Sequence, residues 1–98
     1  MPTARTSVPT ASAAKTMQQL CKHWSHKLAV ELSEGRGVVR FPAAVATFEA
    51  RADALLVTIE GDEGEAVERL KGVVASHLDR FAFREAPLRF DWSGPQGG

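Results

Sequence analysis

Cysteine, tyrosine and net charge are what this sequence has least of, and each shortage closes off a class of function. Cys21 is the only cysteine in 98 residues, so no disulfide forms within the chain and no thiolate cluster holds a metal; a reducing compartment fits that usage. There is no tyrosine, which removes the phenol from any acid–base scheme. Twelve basic and twelve acidic side chains cancel, with a pI near 6.8. That leaves no long-range field to gather a polyanion, so nucleic acid is not an expected partner. No apolar run approaches the roughly 20 residues that span a bilayer, and "MPTARTSVPTASAA" lacks the apolar stretch of a secretory signal. The expectation is a cytoplasmic protein of bacterial type with no membrane partner. Also missing are a glycine-rich phosphate loop, GxSxG, HExxH and paired cysteines; Gly35 and Gly37 read as a turn.

What remains is enough for one domain. Apolar residues make up 44% of the chain and charged ones 24%, a composition that fills a modest core. Charge is uneven along it. Residues 1–40 carry Arg5, Lys15, Lys22, Lys27, Arg36 and Arg40 against Glu31 and Glu34, a surplus of four positive charges that the remainder offsets.

Periodicity divides the chain. Residues 1–9, small and polar with Pro2 and Pro9, read as a flexible leader, and Thr10 or Ser12 is placed to cap a helix. Ala13, Met17, Leu20, Cys21, Trp24 and Leu28 follow at helical spacing, which predicts a first helix over residues 11–25. "KLAVEL" and "VVRFP" alternate apolar with polar around the turn signal "SEGRG", Pro42 ends or kinks the second strand, and "AAVATFEA" and "LLVTIE" continue the extended pattern around "RADA". Asp62 with Glu65 resembles a capping box opening a second helix to about residue 80, with Val67, Leu70, Val74, His77 and Phe81 as its apolar stripe. "LRFDW" alternates again as a last strand, and residues 93–98 read as a disordered tail. The expected fold is α+β: helix-strand-strand-strand-helix-strand over residues 10–92, with both helices on one face of a four-stranded, mainly antiparallel sheet. Val38, Arg40, Thr58, Arg89 and Asp91 are assigned to the uncovered face, a surface for a homodimer contact.

Few side chains carry chemistry. His23 and His26, three apart in "LCKHWSHK", lie off the apolar stripe; they read either as a weak metal pair or, with Lys22 and Lys27, as cations favoured by the C-terminal end of the helix dipole. Cys21 belongs to the core. His77 stands where the stripe calls for leucine, and burying an imidazole needs partners for its nitrogens. Arg84, beside Phe83, reads either as a guanidinium to grip carboxylate or phosphate in bidentate fashion or as half of a surface ion pair with a neighbouring charge, and Glu85 reads as one half of such a pair.

"LCKHWSHK", "HLDRFAFRE" at residues 77–85 and the terminal "LRFDW" together resemble the bacterial domain-of-unknown-function family twenty-two-eighteen, with the likeness running over residues 3–92. The resemblance implies no assigned activity. It implies a domain that occurs alone or fused to siderophore-interacting flavin reductases, and hence a role near iron utilisation. It also implies a fold of the kind seen in TATA-binding-protein-like domains and the last domain of phosphohexomutases. The family's blocks map onto Cys21, Lys22, His23, His26, Lys27, His77, Arg80, Phe81, Phe83, Arg84 and Glu85.

Three readings follow. The first is a non-catalytic accessory or binding module that recognises a small anionic ligand, a ferric siderophore or a partner reductase, with His77, Arg84, Lys22, Lys27, His23 and His26 as ligand-binding candidates. The second is a metal-binding protein using His23, His26 and His77; no other cofactor is expected. The third, a small enzyme with His77 as general base, lacks an evident acid partner.

Overall fold

Strand alternation sets the sheet. The computed structural model describes residues 2–82, 84–85 and 88–96, and its first element is a strand, β1 (Thr3–Pro9). Ala4, Thr6 and Val8 of β1 are buried while Arg5 and Ser7 are exposed, a period of two that presents one face to the core. The flexible leader expected for residues 1–9 is therefore corrected. Small polar side chains hid the strand, whose stability comes from pairing antiparallel with β5 (Ala54–Gly61) from Thr3↔Glu60 to Pro9↔Ala54.

The chain then enters α1 (Ala13–Trp24), which crosses the sheet to its far edge. From there β2 (Ala29–Ser33), β3 (Arg36–Phe41), β4 (Ala44–Ala50) and β5 form an antiparallel meander leading back to β1. Gly35 turns β2 into β3 at φ +75°, in the left-handed region that favours glycine. Pro42 and Ala43 turn β3 into β4, so four strands, not three, separate the helices. α2 (Gly64–Phe81) crosses back, and a short edge strand, β6 (Ser93–Gln96), pairs antiparallel with β1. The spatial order is β2-β3-β4-β5-β1-β6: five full antiparallel strands and a short sixth, rather than four.

Both helices pack on one face of this sheet and on each other. Met17, Leu20 and Cys21 of α1 and Val67, Val74 and Leu78 of α2 meet Val39, Phe48, Leu55, Val57 and Ile59, all fully buried or nearly so. Burying each large side chain stabilises the fold by about 1.5–3 kcal/mol before chain entropy is counted. β3 comes close to α1 because Gly37 has no side chain: a Cβ there would lie 2.6 Å from Cys21 Sγ. On the uncovered face, Arg5, Thr58, Thr47, Val38 and Glu31 form one cross-strand row, and Arg40 lies beside it on β3. Val38, Arg40 and Thr58 thus sit where alternation assigns them. Neither helix is long and apolar enough to cross a membrane.

Three local expectations change. The Asp62–Glu65 capping box does not form, because the N-cap falls at Glu63 with extended backbone and no side-chain cap bond; Glu65 then sits one position short of where a box needs it. "LRFDW" is not a strand. Its backbone is held by side chains instead: the Leu88 N–H donates to Asp79 Oδ1 at 2.8 Å and the Asp91 N–H to Thr6 Oγ1 at 3.1 Å. Leu88 still reaches the core, and Phe90 and Trp92 stack at 6.2 Å under α2, with Lys71 Nζ 5.8 Å from the Trp92 ring centre. Arg89 and Asp91 are exposed without belonging to the sheet. The expected tail is ordered as β6 over Ser93–Gln96; its last two residues lie outside the described residues.

Candidate functional site

Lys15, Gln19 and His23 recur every fourth residue of α1, one ridge beside its buried stripe. That ridge borders the C-terminal end of α2. Between them opens a cleft of about 310 Å³ lined by Ser12, Lys15, Thr16 and Gln19 on one side and Phe81, Ala82, Arg84 and Glu85 on the other.

Glu85 closes one end of the cleft. Its Oε2 accepts the Thr10 hydroxyl at 2.7 Å and its Oε1 accepts the Ala11 N–H at 3.1 Å, while Thr10 Oγ1 accepts the Ser12 N–H at 3.1 Å. A carboxylate from 75 residues away thereby anchors the turn that leads into α1, near the positive end of the helix dipole. The Thr10 hydroxyl first, and then the Ala11 amide, hold the Glu85 carboxyl below the usual glutamate range. The surface ion pair expected for Glu85 is corrected accordingly: its bonds to Thr10 and Ala11 are a long-range tie to the turn before α1, where the Thr10 hydroxyl accepts the Ser12 N–H and Ser12 is the N-cap by position alone. Both carboxylate oxygens accept bonds from the turn before α1, and Lys15 and Arg84 against Glu85 leave the described cleft lining one net positive charge.

Farther along the same interface, His77 is half-buried rather than central to the buried stripe. Leu78 takes that place. From Val74 a step of four reaches Leu78 and a step of three reaches His77, and the twist of α2 against the sheet selects the former. A backbone carbonyl only accepts, so His77 Nδ1–H donates to the Val73 oxygen, at 2.7 Å. Its Nε2 is left available. The His77 ring lies 5.1 Å from Trp24 and 5.5 Å from His23, and His23 lies 5.5 Å from Phe81 in an edge-on contact. Trp24 in turn meets Phe41 and Phe48, so an aromatic chain connects exposed His23 to the core.

The candidates named from sequence divide into two sets. His23, His77 and Arg84 share the interface between the helices. His26 and Lys27 fall in the turn after α1, and Lys22 is exposed on the helix; none of the three lines the cleft. Among the described residues no group of three or more His, Cys, Asp or Glu side chains is placed to hold a metal, so the His23, His26 and His77 triangle is not assembled. Phe83 lies outside the described residues. Cys21 is buried in the core, and burial pushes its thiol above the usual cysteine range. Sequence reasoning missed Lys15 and Gln19; their spacing of four with His23 was the available signal.

The geometry has close relatives. A family described as an uncharacterized protein conserved in bacteria, DUF2218, matches residues 5–93. The NMR structure of PA4090 from Pseudomonas aeruginosa superposes with a TM-score of 0.82 at 33% identity, covering 95% of this chain and 96% of that one. Among curated proteins, none matches.

Proposed function

The chain belongs to the DUF2218 family of uncharacterized bacterial proteins, and from that premise we propose that it is a non-catalytic module binding a small carboxylate or phosphate anion in the cleft between α1 and α2. The observation that carries this reading is the lining of that cleft, where Lys15 and Arg84 flank Gln19 and the Ser12 hydroxyl over a floor of Phe81. The guanidinium and the ammonium each bring a positive charge to an anion, and Phe81 gives an apolar surface for the rest of the ligand. Glu85 stays an anion at one end of this lining, tied to Thr10 and Ala11, so the anionic groups of a ligand are placed toward Lys15 and Arg84.

Exposed cations in a high-dielectric cleft give modest, salt-sensitive affinity. A ligand with several carboxylates gains most, since each cation then meets its own partner. The link to iron implied by the resemblance enters at this point: a ferric siderophore of the carboxylate class would be an anion of this kind, and a siderophore-interacting reductase would be the partner that acts on it. Catalysis has less support. His77, the residue proposed as base, hydrogen-bonds through Nδ1 to a backbone carbonyl and not to a carboxylate that would stabilise its charged form.

Calorimetric titration with citrate and with inorganic phosphate checks the proposal. Lys15→Glu and Arg84→Glu are each expected to weaken citrate by about tenfold, the effect of losing roughly 1.4 kcal/mol, with Lys22→Glu as a control that leaves it unchanged. Equal loss in all three variants would reduce the effect to net charge and remove the cleft from the account.

A further inference from the structure

We propose that His23 and His77 form an open two-imidazole site for a divalent first-row transition ion, copper(II) foremost, separate from the anion cleft and not dependent on it. The argument starts from distance. With metal–nitrogen bonds of about 2.0–2.1 Å and about 1.1 Å from a ring nitrogen to the ring centre, two imidazoles hold their centres roughly 5.2 Å apart on a tetrahedral ion and roughly 4.5 Å apart at neighbouring positions of a tetragonal copper(II) ion. His23 and His77 stand at 5.5 Å, tilted by 47°. They come from different helices, so helix packing brings the two side chains into reach of one ion, and the exposed ring of His23 turns to close the last ångström.

The second observation is the hydrogen bond behind His77. Metal-binding histidines generally donate their other ring N–H to a carbonyl or carboxylate, which fixes the tautomer and ring orientation. His77 Nδ1–H does this to the Val73 oxygen at 2.7 Å, turning Nε2 into the lone-pair nitrogen. Trp24 on one side of His77 and Phe81 beside His23 restrain the two rings. His23 is exposed, which gives an ion its approach from solvent.

The donor set selects the ion. Two neutral nitrogens exclude calcium and magnesium, which take oxygen ligands. They suit copper, nickel and zinc, and of these copper(II) stands highest in affinity for nitrogen donors. With two protein ligands the remaining positions belong to water or to an exogenous donor, so the site binds without enclosing its ion.

The test uses Trp24, whose ring is 5.1 Å from His77, as reporter in the full-length Trp92→Phe protein, where it is the only tryptophan. Copper(II) sulfate is expected to quench its fluorescence saturably at micromolar concentration, and zinc to compete. His23→Ala and His77→Gln should each weaken copper by at least about tenfold, while His26→Ala and Lys15→Ala leave it unchanged. Thermal melts of the metal-free variants check that they fold. Quenching that survives His23→Ala, or that is lost only with His26→Ala, would overturn the proposal. Loss of citrate binding in Lys15→Glu with copper quenching intact would separate this site from the anion cleft.

Discussion

Gly37→Ala measures how tightly α1 is seated on the sheet that positions both sites. The backbone at Gly37 accepts alanine, because Gly35 holds the single positive φ among the described residues. Space does not. The new Cβ would sit 2.6 Å from Cys21 Sγ, 3.5 Å from Leu32 Cδ1 and 3.6 Å from Met17 Cγ. The first contact is about 1 Å inside van der Waals distance, and Cys21 and Met17 are fully buried, so relief requires α1 to move. Overpacking of this sort costs about 1–3 kcal/mol, less about 0.4–1 kcal/mol gained because alanine has fewer unfolded conformations than glycine. A net loss of about 1–2 kcal/mol lowers the melting temperature of a domain this size by roughly 5–15 °C. Cys21→Ala alone should also destabilise, by opening a small cavity where Sγ was. Combined, the two changes should cost less than their sum by at least about 1 kcal/mol, because the new methyl fills the vacated space. Circular-dichroism melts of the four proteins in the cycle measure this. Additive losses would refute the claim that Gly37 is glycine in order to admit the Cys21 sulfur.

Glu85→Gln should loosen the turn leading into α1 by replacing a charged acceptor with a neutral one, seen as faster amide exchange at Ala11 and Ser12. The sign with pH follows from the lowered Glu85 carboxyl: its stabilisation is complete above the ordinary glutamate pKa and is lost as pH falls through that value toward the depressed one. Wild type should therefore converge on the Gln variant in acid melts, and a constant difference down to low pH would contradict this role of the Glu85 carboxylate. His77→Leu should alter stability by no more than about 1 kcal/mol, because the ring is half-buried and Val73 keeps its helical hydrogen bond. The same substitution should abolish copper quenching of Trp24, with denaturant melts and fluorescence titration giving the two readings.

How much of this was legible in the sequence depended on how local each cause is. The α1 stripe of Ala13, Met17, Leu20, Cys21 and Trp24 was plain, since helical spacing is written within a few turns. So were the "SEGRG" and "RADA" turns. β1 was hidden because Thr3–Pro9 is short on large apolar side chains and gains its stability from a partner some fifty residues on. The hydrogen bond joining Glu85 to Thr10 spans 75 residues, and no local pattern announces such a bond. His77 was misplaced by one step on a wheel where residues 77 and 78 are both compatible with the stripe, a choice made only by packing on the sheet. The same packing brought His23 to His77 and left His26 in the turn, and it made a cleft wall of Lys15, which composition alone marks as one more surface cation.

The central claim is that the cleft between α1 and α2 receives a small anion, and backbone amide NMR during a citrate titration addresses it residue by residue. The account predicts saturable shifts confined to residues 12–19, 82 and 84–85, salt-sensitive and absent in the Lys15→Glu, Arg84→Glu double variant. Shifts that map instead to the uncovered sheet face around Val38 and Thr58, or no saturable shift at tens of millimolar citrate, would contradict it.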